Sequence, residues 1–355
     1  MKKISKSAVL ILVITLLFTS MFTACSSKTP EPAPAPANGT TKASDVPTDN
    51  SKDTSKKIDY PTKPIQVILP SNPGGDTDAT ARLISQYMEK EMGQSFVIVN
   101  QAGGTGTIAM QKVLSSKPDG YTVFWYDVAS TFVPTLSGLI NYDMSVWKIP
   151  GIALAGRDWV IVARADAPYK NLKELEEYAK ANPGQISWAM QTGGWPHLTG
   201  IALGNELGQE IKLADIGGTA ERIVALSGKK VSLIQSAYKD VQSYVDTGEF
   251  TILASMSAER HPNFPDIPTA TEQGYEMDFN KYYYFAFPKD TPQEVVDKFS
   301  KAMDKVIQNE EFIAKAKEMN VLPNYLPEKE SLELIKKETS HLSSFKEKFL
   351  AGLGK

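Results

Sequence analysis

Apolar positions along this chain fall into two alternating rhythms. From Tyr60 onward, short continuous apolar runs give way to stretches in which apolar residues recur every three or four positions. Ile65, Val67, Ile68 and Leu69 read as a buried strand. Leu83, Ile84, Tyr87, Met88 and Met92 then repeat at helical spacing, and Gly93 ends that helix. Further strands are predicted at 95–100 (SFVIVN), 121–127 (YTVFWYD), 158–164 (DWVIVAR), 185–190 (QISWAM), 230–236 (KVSLIQS) and 250–256 (FTILASM). TIAMQKVLSS and NLKELEEYAKANPG read as helices between them. This alternation predicts βαβ units and a mainly parallel sheet, hence an α/β fold. The C-terminal part turns helical: TPQEVVDKFSKAMDKVIQ, EEFIAKAKEMN and EKESLELIKKETSHLSSFKEKFL are three helices rich in Lys and Glu. They are expected to pack onto a domain begun much earlier in the chain.

Three times a strand runs through a Gly-Gly pair into a helix: at Gly74 and Gly75, at Gly193 and Gly194, and at Gly217 and Gly218. The first N–H groups of a helix have no intrahelical partner, so such a turn is suited to anions. Neither GxxxxGK[ST] nor GxGxxG accompanies the turns, which removes the usual phosphate signatures. A plain βα turn without a ligand remains the alternative at this point. Ligands of open α/β sheets bind outside the carboxyl ends of the strands. Two such turns on two domains would face each other as a clamshell.

Composition changes the picture at the N-terminus. MKKISK supplies a basic segment and AVLILVITLLFTSMF an apolar one, followed at once by FTACSS with Cys25, the only cysteine of the 355-residue chain. This predicts an export signal at 1–24 of the lipoprotein type, with cleavage before Cys25 and lipidation of its sulfur. An ordinary signal peptide with an incidental cysteine is the alternative. Residues 25–58 carry almost no large apolar side chain and read as a disordered Pro/Ala/Ser-rich tether spanning roughly 30 Å. A single cysteine excludes a disulfide framework and thiolate metal sites. The formal charge is −3, and loss of Lys2, Lys3 and Lys6 with the signal makes the mature form more acidic. An acidic body without a basic cluster argues against nucleic acid as a partner.

Catalytic chemistry finds little support. The three histidines, His197, His261 and His341, show no zinc-type spacing, and no GxSxG elbow is present. His341 on a charged helix is expected to face solvent, and His261 in ERHPNFPDIPT to make a structural hydrogen bond. His197, just after a Gly-Gly pair, either donates to a ligand or caps the turn. Asp76 and Asp78 suit the first turn of a helix, and Asp78 with Arg82 has the i, i+4 spacing of an ion pair.

YPTKPIQVILPSNPGGDTDATAR, MGQSFVIVNQAGG, SSKPDGYTV, NLKELEEYAKANPGQISWA, TGGWPHLTG, AERHPNFPDIPTATEQGY and FAFPKDTPQEVVDK follow one another in order. Together they resemble the substrate-binding receptors of tripartite tricarboxylate transporters, also called Bug proteins, over nearly all of 59–355. The resemblance implies a two-domain Venus-flytrap fold of the periplasmic-binding-protein type II kind, with a ligand cleft between domains. It implies a receptor, not an enzyme, that captures a small organic carboxylate and delivers it to integral-membrane transporter subunits. No cofactor or metal is expected, and the protein is taken as a monomer held by its lipid at the outer face of the cytoplasmic membrane.

Carried over residue by residue, the resemblance assigns Ser71, Asn72, Gly74, Gly75, Asp76 and Thr77 to one ligand loop. It assigns Thr192, Gly193, Gly194, Trp195 and His197 to the facing loop, and Gly217, Gly218 and Thr219 to a third cleft segment. Trp195 stands where the family usually has a small hydroxyl residue, Asp76 adds a negative charge, and NKYYYFAF brings Lys281 and three tyrosines nearby. These departures suggest a smaller, or more apolar and aromatic, carboxylate than citrate, unless Trp195 only walls the cleft. The expected division is 59–160 with 287–355 as domain 1 and 161–286 as domain 2, with crossings near 157–164 and 284–288. A receptor feeding a membrane sensor is the nearest alternative. An anchored hydrolase, with Thr192 or Ser71 as nucleophile near His197, is the distant one.

Overall fold

The structure, a computed structural model, describes residues 58–141 and 143–354. The expected signal peptide, Cys25 and nearly all of the tether lie outside the described residues. In chain order the elements are β1 (Ile65–Leu69), α1 (Asp76–Met92), β2 (Phe96–Asn100), α2 (Thr107–Leu114), β3 (Thr122–Asp127), α3 (Val128–Leu136), β4 (Trp147–Lys148), β5 (Gly151–Gly156) and β6 (Trp159–Arg164). Then come α4 (Leu172–Ala181), β7 (Ser187–Met190), α5 (Trp195–Leu207), β8 (Lys212–Asp215), α6 (Thr219–Ser227), β9 (Leu233–Ala237), α7 (Tyr238–Asp246) and β10 (Phe250–Ser255). The chain ends with β11 (Lys281–Pro288), α8 (Gln293–Ile307), α9 (Glu310–Glu318), β12 (Leu322–Pro327), α10 (Glu328–Ser343) and α11 (Lys346–Gly352).

Two sheets organise these elements. The first runs β12-β5-β11-β3-β1-β2, with β4 paired to β11; the second runs β10-β6-β9-β7-β8. Read from β2 and from β8, the two orders are the same pattern. Three parallel strands (β2-β1-β3, β8-β7-β9) are followed by an antiparallel one (β11, β6) and a fifth strand antiparallel to that (β5, β10). Strands buried on both faces read as continuous apolar runs, which is why β6 (WVIVAR) and β9 (LIQSA) are so uniformly covered.

Apolar faces on the helices close both sides of each sheet. Ile84, Tyr87 and Met88 of α1 pack with Phe299 of α8 and Phe312 of α9 on one face of the first sheet, Tyr87 meeting Phe312 edge-on at 5.3 Å. Met110 of α2, Val128 of α3 and Ile335 of α10 cover the other face. In the second sheet, α4 and α5 lie on one face, with Leu175 and Leu198 packed against Trp188, and α6 and α7 on the other, with Leu226 and Val241 buried.

Several elements differ from the expectation. β5 reads GIALAG, too rich in Gly and Ala to stand out, yet all six residues are buried. α3 carries Pro134 inside it, and α7 and β12 escaped the pattern altogether. β11 pairs with β5 from Lys281 and with β3 from Tyr283, so the chain has already returned to the first sheet at Lys281, earlier than the expected crossing at 284–288. The first crossing falls between Gly156 and Trp159.

The expected last helix is two, broken near Ser344, and its final part leaves the first sheet. Leu342, Phe345 and Phe349 join the core around Trp195, Leu198 and Ala202. α11 lies on α5, with Phe349 at 5.0 Å from the His197 ring. Replacing Phe349, fully buried there, with Ala should destabilise the folded body by about 3–5 kcal/mol. Urea unfolding of the wild type and Phe349→Ala measures this; a loss under about 1 kcal/mol would show that the helix is not seated as described.

Candidate functional site

The carboxyl ends of all six parallel strands open onto one cleft of about 410 Å³. Its first wall comes from Pro70, Ser71 and Asn72 after β1, from 102–106 after β2, and from Tyr126 and Ser130 around the end of β3. Its second wall comes from Gln191, Gly194, Trp195 and Pro196 after β7, from Gly218, Thr219 and Arg222 after β8, and from Gln235, Ser236 and Ala237 at the end of β9. Trp159 and Lys281, at the two crossings between sheets, form part of the lining.

The three Gly-Gly pairs share one backbone conformation. The first glycine is left-handed: Gly74 at φ 85°, Gly193 at φ 73° and Gly217 at φ 99°. The second is the extended N-cap of the following helix: Gly75 at φ −80°, Gly194 at φ −96° and Gly218 at φ −72°. The first position requires glycine because a Cβ is strained there. The second leaves α1, α5 and α6 without a side-chain cap. Positive potential at these helix starts is therefore open to another acceptor. The 103–106 segment adds Gly103, Gly104 and Gly106, all left-handed, with Gly106 close against Pro70.

Charge in the cleft is concentrated at Lys281. Its Nζ lies 2.7 Å from Asp76 Oδ2 and 2.9 Å from Asp158 Oδ1, and 4.8 Å from the centre of the Trp159 ring. Tyr283 donates its hydroxyl to Asp76 Oδ2 at 2.6 Å, and Lys239 at the start of α7 reaches Asp76 Oδ1 at 3.4 Å. Burial opposes ionisation of Asp76, but Lys281 and Lys239 outweigh it and hold the carboxyl well below the usual range. Burial likewise works against the Lys281 ammonium, and the two carboxylates overcome it and raise its pKa. For Asp158 burial prevails over Lys281, so its carboxyl is pushed up. Asp127, which caps α3 by accepting from Ser130 N–H at 2.9 Å, is pushed up to about 6 by burial.

Of the residues expected at the site, Ser71, Asn72, Asp76, Gly194, Trp195, Gly218 and Thr219 line the cleft together. Gly74, Gly75, Thr77, Gly193 and Gly217 sit in the same turns without lining it. Thr192 turns aside, its hydroxyl donating to Asp215 at 2.5 Å. His197 is not at the ligand face: it is fully buried, its Nδ1 accepts from Gly193 N–H at 3.2 Å, and its ring packs on Phe349. Burial lowers its pKa, which keeps the ring neutral and able to accept that bond. The imidazole thus shapes the turn from behind. His341 also departs from expectation, its ring lying 5.5 Å from Phe279 and 5.4 Å from Phe345. His261 makes structural bonds to Asn320 O and Asn263 N–H. Asp78 is spent on Arg82, gripped through both carboxylate oxygens at 2.9 Å.

Trp195 walls the cleft and also belongs to the core, its ring 4.7 Å from Trp159 and 5.4 Å from Phe279. Residues that sequence reasoning did not place here include the 103–106 glycines, Tyr126, Arg222, Gln235 and Ser236. Only the glycine-rich AGGTG after β2 offered a local signal. Among the described residues no group of acidic, His or Cys side chains could hold a metal ion.

A hydrolase would need an acceptor aimed at Ser71 or Thr192, and His197, the candidate base, faces the other way. Two α/β sheets of like order with a polar cleft at their strand ends define a two-lobed periplasmic solute-binding fold. Residues 80–348 match the tripartite tricarboxylate transporter family receptor, and the chain belongs to that family. A UPF0065 protein of Bordetella pertussis is 30% identical over 254 residues, covering 68% of this chain and 76% of that protein. Protein BugT of the same organism is 28% identical over 257 residues, covering 70% and 78%. The solved periplasmic binding protein BugD superposes with a TM-score of 0.70 at 28% identity, over 82% of this chain and 98% of its own. MatC of Rhodopseudomonas palustris, solved with bound malate, shares the fold at TM-score 0.69 and 23% identity, over 81% of this chain and all of its own. The family consists of exported substrate-binding receptors, so this chain is a receptor and not an enzyme.

Lys281 gives the site a measurable dependence on its ion pairs. Lys281→Met should cost about 3–5 kcal/mol at neutral pH, because Asp158 would remain buried without a cation and Asp76 would keep only the partly exposed Lys239. In the variant the pKa of Asp158, whose carboxyl burial already pushes up, would be raised further. Such a group stabilises at pH below its unfolded value near 4 and loses that contribution as pH rises through the folded value. The deficit should therefore shrink as pH falls from about 7 towards 5, as urea melts at several pH values would record. A deficit independent of pH would remove the carboxylates from this account.

Proposed function

We propose that this chain is an extracytoplasmic solute-binding lipoprotein, anchored through Cys25 and held off the membrane by residues 25–58. It captures a small organic carboxylate between its glycine-rich loops and hands it, as a monomer, to a tripartite tricarboxylate-type membrane transporter. One observation carries the ligand reading: three Gly-Gly turns of like conformation place helix starts without a side-chain cap around one cleft. A carboxylate suits them, because backbone N–H groups and ordered water can hold one charge without a lysine. The ligand loops are Ser71, Asn72, Gly74, Gly75, Asp76 and Thr77 on one side, and Thr192, Gly193, Gly194 and Trp195 with Gly217, Gly218 and Thr219 on the other. In this reading Asp76 and His197 position the loops, and the Trp159 and Trp195 rings favour a ligand with an apolar part. The division into two closing domains follows the two sheets. Among the described residues no helix is long and apolar enough to cross a membrane.

Thermal unfolding of the 59–355 body against mono-, di- and tricarboxylates, aromatic acids and acidic amino acids tests the ligand class. An acid present at a hundred times its dissociation constant should add about 2.7 kcal/mol, a shift of several degrees. A panel without any shift, repeated on denatured and refolded protein to strip a copurified ligand, would sink the carboxylate reading. Gly75→Val probes the first loop. The backbone there suits valine, and the nearest atom to an added Cβ is Asn72 O at 3.9 Å. The variant should fold like the wild type and bind the identified acid at least about tenfold more weakly. Unchanged affinity would show that the ligand does not meet the first loop at its helix start.

A further inference from the structure

Among the described residues, Arg222 is a buried charge without an ion-pair partner. Its residue is 5% exposed, and it lines the cleft from the first turn of α6. Nη1 donates to Gly217 O at 2.9 Å and Nη2 to Thr219 Oγ1 at 3.0 Å, while the buried Nε has no acceptor. Every other cleft charge of comparable burial is answered. Lys281, for example, sits between two carboxylates. Glu221 and Asp240 act on Arg222 only from beyond ion-pair distance. Burial lowers its pKa to about 10, which leaves the guanidinium charged at neutral pH. A charge held out of water without a counter-charge is costly, and a ligand that supplies the counter-charge removes the cost.

The groups around it point the same way. Gln235 and Ser236, 3% and 1% exposed at the carboxyl end of β9, have an unpartnered Oε1 and Oγ, and Trp195, 7% exposed, has an unpartnered Nε1–H. All three line the same cleft as Arg222. A hydroxyl, an indole N–H, an amide that can turn either way and a guanidinium make a donor-rich set. They sit on side chains, whereas the Gly-Gly turns offer backbone groups.

We propose that Arg222, with Ser236, Gln235 and Trp195, forms a second anion subsite on the wall built by α6 and the end of β9. It pairs with the far, negatively charged end of the ligand, so Arg222 selects a dianionic acid over a monocarboxylate of similar size. The inference rests on the carboxylate reading above. The competing role for Arg222 is purely architectural, tying together the 217–219 turn through its two Nη bonds. That role leaves both Nε and the charge unused.

Calorimetric titration of the full chain in detergent separates the two. The ligands are short straight-chain and benzene diacids, each beside its monomethyl ester and the corresponding monoacid. The proteins are wild type, Arg222→Gln and Arg222→Lys. In the wild type the best diacid should bind at least about thirtyfold more tightly than its monoester. Arg222→Gln should lose about that factor for the diacid and change monoester binding by less than about threefold, with Arg222→Lys recovering part of the loss. Equal wild-type affinity for diacid and monoester overturns the inference, as does a variant that weakens both ligands alike. Should Arg222→Gln fail to fold, the wild-type comparison of diacid with monoester still decides. Binding of monoacids alone would leave the carboxylate reading standing and remove the subsite. Binding of no acid at all would remove both.

Discussion

The buried ammonium of Lys281 is the contact on which the rest of this structure depends. It stands at the return crossing between the sheets and touches Asp158 at the outward crossing and Asp76 at the first helix start. An unpaired charge at that depth would be costly, so three chain segments far apart in sequence must meet there. Tyr283 and Lys239 complete the shell of Asp76. Asp76 therefore does not present a free negative charge to an incoming anion, as its sequence position had suggested. Because Lys239 belongs to the second sheet's half and Asp76 to the first, the pair also bridges the cleft. Both side chains are partly exposed, which makes this the weaker and more readily parted link in the cluster.

Around that fixed point the fold repeats one solution. Each sheet sends three parallel strands towards the cleft, and each receives its central antiparallel strand from the crossing. The loops that follow the parallel strands converge for that reason, and the glycine pairs let three of them turn abruptly into helices. Burying His197 behind the second turn is part of the same device. Its neutral ring supplies an acceptor for Gly193 N–H that a charged imidazole would not.

Local pattern carried much of this into the sequence. The strands before each Gly-Gly pair, the helices after them and the Asp78–Arg82 pair are all short-range features, visible in spacing alone. What escaped was set by contacts between distant residues. β5 is buried by its neighbours and not by its own Gly- and Ala-rich composition. α11 turns to α5 because Phe345 and Phe349 find space beside Trp195, which no periodicity announces. His197 looked like a ligand residue because it follows Gly194, but a helix start presents successive side chains in different directions and this one points inward. Arg222 sits in an ordinary amphipathic helix, and only the structure shows that no carboxylate among the described residues answers it.

These two basic groups divide the electrostatics of the cleft. The cluster of Lys281, Lys239, Asp76 and Asp158 pairs two basic with two acidic side chains and binds the walls together. On the proposed reading, the helix starts at the glycine turns, which carry only partial charges, orient one carboxylate and are too diffuse to distinguish one acid from another. Discrimination would then come from what lies beyond the first carboxylate: the Trp195 and Trp159 rings for shape, and the guanidinium of Arg222 for charge. A receptor built this way separates holding from choosing. On the proposed reading its backbone turns suit the common feature of every organic acid, and the side chains of the second wall set which acid fits.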